Sequence, residues 1–221
     1  MNDYLDLKTH DNHSFQAYIS YPDEKPKSGL VVIQEIFGVN QHIREVCDFY
    51  ATKGYLTIAP CLFDRENKKI QLTYKVDDVQ KGRKLKEKIN DLSLNEIEAC
   101  ISHILPTGKI GIIGFCWGGS LAWKSANKFQ DLSSAIVYYG GEVPKLNTLT
   151  PKCPVICHFG ELDKSIPIID VKKFKKIRTE VEVYIYLADH GFNCNHRSQF
   201  NEKCANLATD RTLKFLEKNL T

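Results

Sequence analysis

Apolar residues in this chain fall into short β-branched runs separated by segments whose apolar positions recur at helical spacing. Gly29-Leu30-Val31-Val32-Ile33-Gln34, Tyr55-Leu56-Thr57-Ile58-Ala59-Pro60, Lys109-Ile110-Gly111-Ile112-Ile113-Gly114, Ser134-Ala135-Ile136-Val137-Tyr138-Tyr139 and Pro154-Val155-Ile156-Cys157-His158-Phe159 are near-continuous apolar runs. Runs of this kind fit strands buried on both faces. Val181-Glu182-Val183-Tyr184-Ile185-Tyr186 is the last strand. Between them, Asn40 caps a helix through Ile43, Val46, Cys47 and Tyr50. Helical character returns at Lys84-Leu85, again at Leu94, Ile97, Ile101 and Ile104, and at Leu121, Ala122 and Ala126. Val171, Phe174 and Ile177 suit a further helix, and Phe200, Cys204, Leu207, Leu213 and Leu216 a closing one. Tyr4-Leu5-Asp6-Leu7 and Phe15-Gln16-Ala17-Tyr18-Ile19 alternate apolar and polar residues around a polar turn at His10-Asp11-Asn12-His13, the pattern of an edge hairpin. From Cys61 to about Val79 the pattern loosens, which predicts a loop excursion.

Strands alternating with helices predict an α/β domain: a mostly parallel central sheet, helices on both faces and an N-terminal antiparallel hairpin. With 221 residues and no internal repeat, linker or low-complexity tract, a single domain over residues 1–221 is expected.

Composition narrows the function classes. The net charge of +3 is small and scattered, so nothing calls for nucleic acid. No apolar run reaches membrane-spanning length. Met1-Asn2-Asp3-Tyr4-Leu5-Asp6 lacks the basic and apolar regions of a secretory signal, so the expectation is a cytoplasmic protein whose eight cysteines stay reduced. Cys153 and Cys157 have no second pair to complete a zinc site, and no metal is expected. Outside position 116, the cysteines read as small core hydrophobes.

That exception lies in Gly114-Phe115-Cys116-Trp117-Gly118, where an apolar strand turns at once into a helix. The stretch has the form of the nucleophile elbow, G-x-S-x-G, with cysteine in place of serine. Such a turn lifts the sulfur above the sheet edge, at a helix N-terminus that favours negative charge. A cysteine attacking an acyl carbon needs a base and a group to orient that base, in the chain order nucleophile, acid, histidine. Asp163, after the Pro154–Phe159 strand, is the expected acid, with Glu161 and Asp170 as alternates. His190, in the loop after Tyr186, is the expected base, with His196 as backup. His158 reads as a hydrogen-bonded core residue, whereas His10, His13, His42 and His103 read as solvent-facing. The backbone N–H groups of Trp117 and Ile36 are the candidate oxyanion donors. Glu35, at a strand end beside the elbow, is either a hydrogen-bond partner of the thiol or one half of an ordinary ion pair.

Together Gln34-Glu35-Ile36-Phe37-Gly38, Gly114-Phe115-Cys116-Trp117-Gly118-Gly119, Tyr138-Tyr139-Gly140, Gly160-Glu161-Leu162-Asp163 and Asp189-His190-Gly191-Phe192 resemble the dienelactone hydrolase family, over nearly the whole chain and in the family's order. The resemblance implies an α/β-hydrolase fold and hydrolysis of a small-molecule lactone or ester through an acyl-enzyme, with no metal or organic cofactor. It implies a triad of Cys116, Asp163 and His190, with Glu35 holding the resting thiol and accepting its proton. It also implies arginines that grip a substrate carboxylate. Here the stretch after His190 reads Gly191-Phe192-Asn193-Cys194, with Arg197 further on, and Arg83 is the nearest earlier candidate. Phe37, Trp117, Tyr138 and Phe192 are the expected aromatic pocket walls. A general carboxylesterase or thioesterase, or a non-catalytic thiol redox or ligand-binding protein, stand as alternatives. The oligomeric state, monomer or small homo-oligomer, is left open.

Overall fold

The computed structural model describes residues 2–220. Its eight strands are β1 (Asn2–Lys8), β2 (Ser14–Ser20), β3 (Ser28–Ile33), β4 (Tyr55–Pro60), β5 (Ile110–Phe115), β6 (Leu132–Tyr138), β7 (Val155–Gly160) and β8 (Glu182–Tyr186), in the spatial order β1-β2-β4-β3-β5-β6-β7-β8. From β4 to β8 every neighbouring pair is parallel. Strands β3, β4, β5 and β7 are buried at every position, which accounts for their continuous apolar runs. The expected hairpin is present: β1 and β2 pair antiparallel around Asn12, whose φ of 65° the short amide side chain tolerates.

Five helices lie between the strands, α1 (Gln41–Thr52), α2 (Val76–Ile89), α3 (Ser93–Ile104), α4 (Trp117–Lys128) and α5 (Ile168–Ile177), and α6 (Glu202–Leu220) follows β8. Helices α1 and α6 border one cavity on one side of the sheet, and α3 and α4 pack together on the other. Asn40 caps α1 as expected, its side-chain oxygen accepting the Ile43 N–H at 3.3 Å. Among the described residues no helix is long and apolar enough to cross a membrane.

Three sequence expectations change. Helix α2 begins at Val76, well before Lys84, so the excursion is shorter than read. Its first turn is acidic, and Asp78 accepts the Thr73 N–H at 2.8 Å; the core needs only Gly82, Leu85 and Ile89, too sparse to read as a stripe. Helix α6 turns Ala205, Ala208, Thr212, Phe215 and Leu216 inward, while Phe200 lies before the helix and Leu207 is exposed. Small residues carry that face because the helix sits close to the sheet, where the Thr212 hydroxyl pairs with Tyr138 at 2.8 Å and with His158 at 3.0 Å. His42, expected in solvent, is buried beneath α1 against the ring of Phe115.

The segment after β4 is anchored rather than loose. A 3-10 turn, Leu62–Arg65, donates the Leu62 N–H to Gln34 at 3.2 Å, and Asp64 accepts the Gln16 N–H at 2.8 Å. Arg65 pairs with Glu96 on α3 at 2.7 Å and with Asp11 in the hairpin turn at 2.9 Å. All eight cysteines are free thiols; Cys47, Cys100, Cys153, Cys157 and Cys194 are buried, Cys61 and Cys204 half-buried. His158 is the expected core histidine, paired with Tyr186 at 2.7 Å and with Thr212.

Candidate active site

Cys116 is the single residue between β5 and α4, with φ 56° and ψ −115°. An L-residue in that region is strained, and the surrounding backbone has to hold it there. The flanking glycines show how. A Cβ on Gly114 would come within 1.9 Å of the Gly118 carbonyl oxygen, and one on Gly118 within 2.4 Å of the Gln34 carbonyl oxygen. Strand β5, the start of α4 and the end of β3 therefore touch backbone to backbone around the sulfur.

The loop after β7 carries Asp163, which is buried; its Oδ1 accepts the Ser165 N–H at 2.7 Å. Its Oδ2 accepts from His190 Nδ1 at 2.6 Å. The His190 backbone N–H is fixed in turn by Asp189 at 2.6 Å. With Nδ1 committed to Asp163, the ring also stands near the Cys116 sulfur, which favours charge on it. Burial opposes charge on this ring, yet the sulfur and the carboxylate outweigh it and push the imidazole up to about 10. Cys116, His190 and Asp163 are thus gathered at one place, the acid and the imidazole joined by a hydrogen bond. The alternates do not join it: Glu161 is exposed, Asp170 lies on α5, and His196 pairs with Glu45 at 2.7 Å.

Glu35 is buried, and its Oε1 accepts from Arg197 Nη1 at 3.0 Å, while its Oε2 has no hydrogen-bond partner. Its direct partner here is the guanidinium rather than the Cys116 thiol. Arg197 also faces the rings of Phe37 and Tyr74, 5.9 and 5.6 Å from their centroids. The loop from His190 to Arg197 lets this arginine return to the end of β3.

A cavity of about 490 Å³ opens over Cys116 and His190. Ile36, Phe37, Trp117, Arg83 and Arg197 all line it. As the first residue of α4, Trp117 has no intrahelical partner for its N–H. Arg83 is exposed, and no charge pairs with it among the described ion pairs; Lys86 and Lys124 instead bracket Glu142 at 2.7 and 3.0 Å. Two expected walls lie elsewhere. Tyr138 and Phe192 are wholly buried and stand outside the cavity lining; Tyr138 points into the layer under α6, toward Thr212.

Sequence reasoning missed Tyr139, whose φ of 40° turns its ring to 5.0 Å from that of His190. Its place in the Tyr138-Tyr139-Gly140 stretch was the available signal. It also missed a buried group beside the site, Glu35, His42 and Cys194, whose ligand-type atoms lie within 4.8 Å of one another. Cys194 donates to the Tyr74 oxygen at 3.2 Å. Burial, with Glu35 nearby, pushes its thiol up to about 12.

The dienelactone hydrolase family pattern matches residues 15–220. The carboxymethylenebutenolidase of Pseudomonas putida is 29% identical over 229 residues, covering 96% of this chain and 94% of that one. A Synechocystis protein that carries the same name provisionally is 31% identical over 212 residues, 86% of each chain. The crystal structure of a Klebsiella pneumoniae protein, provisionally named a dienelactone hydrolase, superposes with a TM-score of 0.83 at 26% identity, covering 98% of this chain and 99% of that one.

Proposed function

The chain belongs to the dienelactone hydrolase family, hydrolases of lactone and ester bonds, and from that premise we propose that it works through Cys116 as nucleophile, His190 as base and Asp163 as orienter, by an acyl-enzyme. The observation that carries this reading is the Asp163–His190 hydrogen bond beside Cys116 on its strained elbow, with Cys116 and His190 lining one cavity of about 490 Å³.

The sulfur attacks the acyl carbon as His190 takes the thiol proton on the nitrogen facing Cys116. Asp163 keeps Nδ1 protonated and compensates the imidazolium. The N–H groups of Ile36 and Trp117 receive the oxyanion. When the tetrahedral adduct collapses, His190 protonates the leaving oxygen. For a lactone that oxygen stays on the acyl chain, so the ring opens and the whole product remains bound as a thioester. Water, deprotonated by His190, then releases the acid and regenerates the thiol. Glu35 contributes by holding Arg197 against the site and, when that pair loosens, by offering its carboxylate to the Cys116 proton.

Arg83 lines the cavity without an ion pair among the described residues and is the candidate grip for a substrate carboxylate. Arg197, engaged by Glu35, favours a second reading in which neutral esters are also accepted. The test measures hydrolysis of a dienelactone acid and of a neutral aryl acetate by wild type, Cys116→Ala and Arg83→Gln. Loss of both activities in Cys116→Ala is expected, with a rise in KM for the lactone acid alone in Arg83→Gln. Turnover that survives in Cys116→Ala overturns the mechanism. An Arg83→Gln effect equal for the two substrates overturns the grip.

A further inference from the structure

Glu35, His42 and Cys194 reach one point from three parts of the chain: the end of β3, the first turn of α1 and the loop after β8. One ligand-type atom from each lies within 4.8 Å of the others, and all three residues are buried. Two of their polar atoms, Glu35 Oε2 and His42 Nε2, have no hydrogen-bond partner, though His42 is only 3% exposed and Glu35 1%. Buried polar atoms are nearly always paired, so two orphans in one cluster call for an occupant.

We propose that Glu35, His42 and Cys194 form a site for a zinc-class divalent cation. Their other contacts leave the needed atoms free. Arg197 engages Glu35 through Oε1, and Tyr74 takes the Cys194 proton while also accepting from Asn40 at 3.1 Å. One thiolate, one imidazole and one carboxylate make the mixed sulfur–nitrogen–oxygen set that zinc accepts, and the thiolate disfavours magnesium and calcium. Tetrahedral zinc ligands lie about 3.4–3.8 Å apart, so the cluster has to contract by about 1 Å. A second cavity, of about 290 Å³, is lined by His42 and so opens to one of the three ligands. On binding, the Cys194 S–H bond breaks, its proton leaves to solvent and a sulfur–metal bond forms, with no change of oxidation state. The Tyr74 hydroxyl then turns from acceptor to donor toward the thiolate. The Arg197 guanidinium opposes a dication, which makes the thiolate indispensable. Glu35 is shared with the hydrolytic site, but neither Cys116 nor His190 takes part, so metal binding and hydrolysis fail separately.

The test titrates the metal-free full-length protein with Co²⁺ and follows its absorption. The expected result is one equivalent bound, with a near-ultraviolet thiolate-to-cobalt charge-transfer band that Zn²⁺ abolishes. Cys116→Ala should keep the band and Cys194→Ser should lose it. His42→Gln should weaken binding at least about tenfold. Circular dichroism establishes that each variant is folded. Should Cys194→Ser not fold, the His42→Gln titration and a zinc-induced rise in the melting temperature of Cys116→Ala decide the matter. A wild type without the band, a band that survives in Cys194→Ser, or one lost in Cys116→Ala overturns the proposal.

Discussion

His190 sits between a carboxylate and a sulfur, and its proton affinity follows from both neighbours. Both neighbours favour a proton on this ring, which suits it to hold the one that leaves the thiol. The same shift has a consequence for stability. Because the folded value lies above the ordinary 6.5, the contacts of His190 stabilise the fold in full below 6.5 and lose that contribution as pH rises toward about 10. The stability advantage of wild type over His190→Gln, measured by urea unfolding, should therefore shrink between pH 7 and 10. A constant difference would contradict the assignment. Asp163→Asn should leave the fold intact and lower kcat by about 10³–10⁴-fold, since an amide no longer compensates the imidazolium. Steady-state kinetics with an aryl ester check it. At this scale the sequence was most legible for Cys116, Asp163 and His190, because elbow glycines and strand-end loops are local signals. It was least legible for Glu35, whose choice between thiol and guanidinium depends on where Arg197 lands after a loop that local pattern does not encode. His42 misled for a similar reason: its burial comes from the tertiary placement of α1 on the sheet, which sets His42 against Phe115 at the end of β5 despite its polar residue type.

Helix α2 is the element that ties the cavity wall to the candidate oxyanion loop. A Cβ on Gly82 would lie 2.0 Å from the Ile36 carbonyl oxygen, so this helix presses its backbone onto the peptide that precedes Phe37. Propensity alone predicts that Gly82→Ala gains about 1 kcal/mol in a helix interior. The contact predicts the opposite, because either α2 or the Ile36 peptide has to move, and a displacement of about 1 Å at a catalytic group costs about 10²-fold in rate. Gly82→Ala should thus lower kcat at least about tenfold without raising the melting temperature. A more stable, fully active variant would refute the role given to α2. This element was also the one whose start the apolar pattern misjudged. Only Gly82, Leu85 and Ile89 face the core, and a glycine contributes nothing to a hydrophobic stripe.

Across the whole molecule, the order of the sheet brings the ends of β3, β5, β7 and β8 to one rim, where the cysteine, acid and histidine loops meet. Burial of both sheet faces made that arrangement readable from the runs of apolar residues, whereas the close packing of α6 through alanines and threonine was not. Under α6, His158 is wholly buried and bonded to Tyr186 and Thr212, and burial lowers it to about 3. A histidine held neutral in the fold takes up a proton on unfolding, so its contribution is present above 6.5 and is lost as pH falls toward about 3. Unfolding should gain one proton from this site, a slope of about 1.4 kcal/mol per pH unit between pH 6 and 4. Urea unfolding at several pH values measures that slope, and a flat dependence would contradict the buried network. The central claim, that the chain acts through a thioester on Cys116, is most directly tested by rapid acid quench of an aryl acetate reaction followed by peptide mass spectrometry. The account predicts an acetyl group on the peptide containing Cys116, accumulating further in His190→Ala, where deacylation lacks its base. Steady turnover with Cys116 unmodified, or acetyl found only on another residue, would contradict it.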